Sequence, residues 1–177
     1  LAVKLVEHAI DKNQIIDVNA KPIHKDYVNS GMTLIWLVLC RRDSKLAVKL
    51  VEHAIDKNQI IDVNAKPTHK DHHNKGLTVL SLAMNLKLYD LVEKLINHAI
   101  CKDSPLDKEQ FKIWMDDINK IDYINAKNSL RNVFLKWAII SCSVDINTIQ
   151  KNFGIDFDTA KLIESYHKYR KSFKKFF

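Results

Sequence analysis

With 177 residues, 46% of them hydrophobic, the chain can bury one domain core or one repeat array, and its three glycines and three prolines exclude collagen-like and low-complexity classes. The net charge of +7 is uneven: residues 161–177 hold six Lys/Arg against Glu164, and the remainder is close to neutral. Overall basicity therefore does not indicate a general nucleic-acid binder.

Cys40, Cys101 and Cys142 share no close spacing, which predicts reduced thiols and not a disulfide framework. The reduced thiols make a cytoplasmic location the expectation, and the apolar runs 34–40 and 133–140 are too short to cross a bilayer.

The string LAVKLVEHAIDKNQIIDVNAKP at 1–22 recurs letter for letter at 46–67, a register of 45 residues. The chain opens on Leu1 inside this segment, which predicts further sequence upstream. The register persists in Gly31 and Gly76, Thr33 and Thr78, Leu37 and Leu82, and LVEKLINHAI from Leu91 begins a third unit. Such a period marks an array whose units bury their apolar faces only against neighbours.

Within a unit, Leu46, Leu50, Val51 and Ala54 form a helical stripe, and Leu77, Leu80, Leu82, Ala83 and Leu86 form a shorter apolar helix before the next copy. Between them QIIDVNAKPTHKDHHNKG, with its proline, Asn/Asp and glycine, predicts an extended loop or hairpin. Each unit reads as helix, short turn, helix, long finger.

Beyond Ile100 the pattern loosens. Phe111, Trp114, Met115 and Ile118, after the cap-like Ser104 and Pro105, predict an extra helix. INAKN at 124–128 echoes the exit strand, and Leu135, Ala138 and Gly154-Ile155-Asp156 echo a degenerate fourth unit. A last helix from about Asp158 carries a seam of Leu162, Tyr166, Tyr169, Phe173 and Phe176, with basic residues off it. Its first reading is a cap over the array's open end.

The string GLTVLSLAMNLKLYDLVEKLINHA together with DVNAK resembles the ankyrin repeat. The matching positions are Gly76, Thr78, Leu80, Ala83, Leu91, Val92, Leu95, Ile96 and His98, with Asp62, Val63, Asn64 and Ala65 in the preceding exit. The family's unit is about 33 residues, which leaves about 12 here, all on the loop side. The family's Thr-Pro-Leu-His stands as Thr78-Val79-Leu80-Ser81 and Thr33-Leu34-Ile35-Trp36, and the glycine between the helices is missing at 85–87.

The expected fold is thus an all-α, ankyrin-like helical repeat solenoid with long loop or hairpin insertions: repeats over 1–103, an extra helix and degenerate fourth repeat over 104–157, and a basic capping helix over 158–177.

Few residues suggest chemistry. His8, His53 and His98 hold one equivalent position and lie on separate units, too far apart to share a metal, so they are expected to bond neighbouring loop backbone. His69, Asp71, His72 and His73 are the densest ligand cluster, but the earlier copy reads HKDYV, which favours a solvated finger tip over a metal staple. Asp116 and Asp117 are adjacent and point apart on a helix, the cysteines sit in apolar patterns, and no glycine-rich phosphate loop exists.

The resemblance implies binding of another protein by the concave face and fingers (about 14–30 and 59–75), with no cofactor, metal, small-molecule substrate or catalysis of its own. Tyr27, Trp36, His69, Asp71, His72 and His73 are the expected partner-binding residues.

Two alternatives stay open. The chain would be the interaction part of a larger enzyme or of a secreted bacterial effector acting in host cytosol, a class that verbatim duplication and AT-rich composition fit, as they also fit a protist or a large virus. Otherwise it would be a membrane or nucleic-acid adaptor working through Lys168, Arg170, Lys171, Lys174 and Lys175.

Overall fold

A computed structural model describes the backbone at residues 2–21, 32–67, 76–142 and 144–173, and side chains at 4–21, 32–67, 76–142 and 144–168. The chain is all-helical: among the described residues there are nine helices and no strand. It divides into two compact units, Leu1–Ala99 and Ile100–Phe177.

The first unit holds α1 (Ala2–Asp11), α2 (Leu34–Cys40), α3 (Ser44–Asp56), α4 (Val79–Asn85) and most of α5 (Tyr89–Cys101). The short helices α2 and α4 start alike because Thr33 and Thr78 are buried N-caps, whose hydroxyls accept from the Trp36 and Ser81 amides at 3.3 and 3.2 Å.

The turn after each short helix passes through a left-handed residue, Arg42 and Lys87 at φ 58°, a conformation that favours glycine. A second left-handed series, Asn13, Asn58 and Asp103, follows the longer helices at the same 45-residue register, using residues that tolerate this conformation.

Each exit segment folds into an Asx turn: Asp17 and Asp62 accept from the Asn19 and Asn64 amides at 2.9 and 3.1 Å. The Ala20 and Ala65 carbonyls then accept from the amides of Leu34 and Val79, both at 3.1 Å. These bonds bring Ala20 beside Leu34 and Ala65 beside Val79. Helix α3 packs against α1 and α2, and α2 against α4, over a core that includes Ile35, Trp36, Leu46, Leu50, Leu80 and Val92.

The second unit contains α6 (Lys108–Asn119), α7 (Ile124–Ser141), α8 (Ile146–Phe153) and α9 (Phe157–Phe173). Its core is aromatic. Trp114 stacks on Trp137 with centroids 5.8 Å apart and planes at 15°, and Phe134 tilts against both. The Trp137 indole donates to the Ser104 carbonyl at 3.1 Å, which satisfies its buried N–H. Arg131 on α7 donates to Asn119 Oδ1 at the end of α6 (3.0 Å) and to the Asn152 carbonyl in α8 (2.7 Å), and its guanidinium lies over Phe153.

Three sequence expectations change here. The extra helix starts at Lys108 with Asp107 as its cap, three residues beyond Pro105. Residues 124–128, expected as an exit strand, form the first turns of α7. The inward face of α9 is Ala160, Ile163 and His167, whereas Leu162 is 72% exposed and Tyr166 41%. The expected seam is thus not a packing face at either residue; Tyr169, Phe173 and Phe176 lie outside the described side chains.

Candidate interaction surface

The repeated histidines fix how consecutive segments of the first unit are joined. His53 Nε2 lies 2.8 Å from the Gln14 carbonyl, and His98 Nε2 lies 2.6 Å from the Gln59 carbonyl. A carbonyl oxygen only accepts, so each ring carries a proton on Nε2. Donor and acceptor both advance by 45 residues, so one bond recurs in register. His8, the third equivalent, is exposed.

Asn19 adds a second link: its Nδ2 donates to the Ile60 carbonyl at 2.6 Å, and its Oδ1 accepts from the Asp62 amide at 2.9 Å.

Trp36, expected to touch a partner, is fully buried, and its indole donates to the Leu77 carbonyl at 2.9 Å. It is a core residue that ties one copy to the next. Tyr27, His69, Asp71, His72 and His73 lie outside the described residues.

Among the described residues of 14–30 and 59–75, the large apolar groups exposed to solvent are Ile15, at 80%, and Ile60, at 60%. They occupy equivalent positions in the two copies. Each sits in an extended Gln-Ile-Ile-Asp stretch where consecutive side chains point oppositely. Ile61 therefore turns into the core at 2% exposure while Ile60 turns out. The Ile60 backbone is held on both sides, by His98 on the Gln59 carbonyl and Asn19 on its own. The signal was present in the sequence: two adjacent isoleucines in an extended segment of one buried face oblige one of them to face water.

The second unit has a cleft of about 480 Å³ lined by Lys108, Cys142, Asp145, Glu164, His167 and Lys168, among others. Its cysteine and histidine both reach the carbonyls at the end of α7. His167 Nε2 donates to the Ile139 carbonyl at 2.8 Å, and the Cys142 thiol faces the Ile139 and Ile140 carbonyls at 3.7 Å. Both satisfy the last carbonyls of α7, a capping role.

Asp145 caps α8 with bonds from the Thr148 amide and hydroxyl, which hold its carboxyl below the usual carboxylate range; Thr159 does the same for Asp156 ahead of α9. Asp116 is exposed and Asp117 pairs with Lys120 at 3.2 Å, so these neighbours do not converge.

Among the described residues no group of three or more His, Cys, Asp or Glu could hold a metal, and no helix is long and apolar enough to cross a membrane. Comparison with protein-family models, with curated proteins and with solved structures finds no match.

Proposed function

We propose that the chain is a protein-interaction module of the ankyrin-repeat kind, a helical stack that grips another polypeptide along its exit segments and fingers without chemistry of its own. The observation that carries this reading is the paired exposure of Ile15 and Ile60, on backbone tied down at equivalent positions. A row of rigid apolar side chains loses little entropy on binding, and each isoleucine regains up to about 1.5–3 kcal/mol when a partner covers it. Further support comes from the 45-residue recurrence of the histidine bond, which is how a stack of like units would be joined.

The test is affinity capture with the wild-type chain and with an Ile15→Asp/Ile60→Asp variant whose far-UV circular dichroism matches it. Proteins retained by the wild type should be lost from the variant. An unchanged set of captured proteins would refute the reading.

A further inference from the structure

Helix α9 carries surface that its own packing does not use. Its inner side, Ala160, Ile163 and His167, is buried, and His167 fastens it to the Ile139 carbonyl. A different face presents Leu162 and Tyr166, one turn apart and 72% and 41% exposed. Lys161 and Lys168 are exposed on a further side of the helix, about 100° or more round from Leu162, and the Lys161 ammonium lies 4.4 Å from the centre of the Phe157 ring, itself 67% exposed. The charge is local, since 161–177 carries six Lys/Arg against Glu164 in an otherwise near-neutral chain.

We propose that α9 docks on an anionic lipid surface, lying in the plane of the headgroups with Leu162 and Tyr166 turned toward the acyl chains and Lys161 and Lys168 toward lipid phosphates and carboxylates. Charge complementarity selects an anionic partner, and the apolar face selects a bilayer among such partners. A nucleic-acid backbone would neutralise the lysines and offer nothing to Leu162, whereas a headgroup–acyl boundary accommodates both. The helix would lie on the membrane and not cross it, in keeping with its mixed composition. This inference is independent of the isoleucine row, and the two fail separately.

The experiment is co-sedimentation of the full chain with vesicles of phosphatidylcholine alone and of phosphatidylcholine mixed with phosphatidylserine, at low and high salt. A single-stranded oligonucleotide is tested in parallel. Two variants accompany the wild type, Leu162→Glu/Tyr166→Glu and Lys161→Glu/Lys168→Glu. All four positions are exposed, so both variants should keep the wild-type circular dichroism.

Binding to the phosphatidylserine vesicles, weakened by salt and reduced at least about tenfold by either variant, is the expected result. Absence of vesicle binding would overturn the proposal. So would vesicle binding that survives Leu162→Glu/Tyr166→Glu, which is attraction by charge alone. Oligonucleotide binding with bare vesicles would overturn it in favour of a phosphate-backbone surface.

Discussion

Leu5 and Leu50 sit at the same place in two identical 22-residue segments, yet Leu50 is fully buried and Leu5 is 62% exposed. Leu50→Ala removes three buried carbons, about 2–2.5 kcal/mol of transfer free energy. Partial relaxation of the cavity left between α3 and its neighbours raises the loss to roughly 3–4 kcal/mol. Leu5→Ala gives up about two-fifths of the transfer value, roughly 1 kcal/mol, with no cavity because its site opens to water. Urea unfolding followed by circular dichroism should then separate the two variants by about 1 M in midpoint, given a denaturant slope of about 1–3 kcal/mol per molar. Sequence context is shared, so helix propensity cancels between them. Equal midpoint shifts would refute the claim that neighbouring helices, and not the segment itself, determine what the leucine contributes.

The same logic applies to the histidines: His53→Ala should cost about 1–2 kcal/mol through loss of the bond to Gln14, and His8→Ala within about 0.5 kcal/mol of nothing, both read from urea midpoints. Lys87→Gly should raise the melting temperature, because relief of the left-handed strain at φ 58°, about 1–2 kcal/mol, exceeds the entropy glycine adds to the unfolded chain, about 0.5–1 kcal/mol; a lower value would contradict this. Asp145 and Asp156 have folded-state carboxyls held below their unfolded values, so they contribute stability that is full above about pH 4 and lost as pH falls through the lower folded value. Midpoints measured from about pH 5 down to about pH 2.5 should therefore decline, and Asp145→Ala should flatten that decline.

Local structure was legible in the sequence wherever local chemistry decides it. The 45-residue register located the helix pairs, and the equivalent histidines were expected on loop backbone, where His53 and His98 are found. What was not legible depends on contacts distant in sequence. Trp36 looked like a contact residue because aromatic rings suit interfaces, but the carbonyl that receives its indole lies 41 residues on. Helix α9 offers two apolar faces at helical spacing, and bulk pointed to the wrong one. The small Ala160 and the hydrogen-bonding His167 allow a closer, satisfied approach to the unit's core than Leu162 and Tyr166 would. Residues 124–128 matched an exit motif by letter, yet they lack the Asp-Val pair that builds the Asx turn at 17 and 62, and the segment begins a helix instead.

Identical copies also separate what a unit carries from what its neighbours supply. The Asx turn and the left-handed asparagine recur in both, so the segment dictates them. Between the two identical copies, burial of Leu50, the bond from His53 and the double link from Asn19 are not shared: Leu5 and His8 are exposed, and Asn64, the twin of Asn19, has a buried Oδ1 with no partner among the described residues. Those properties belong to the environment. Ile15 and Ile60 behave as the turns do, exposed in both surroundings although nearly everything around them changes. Their exposure cannot then be laid to a neighbour present for one copy and absent for the other. It goes with the Gln-Ile-Ile-Asp stretch, whose second isoleucine lies opposite the exposed first one and is the more covered in each copy, Ile61 buried and Ile16 half-buried. An apolar side chain turned to water at the same place in both copies is the feature on which the proposed interaction surface rests.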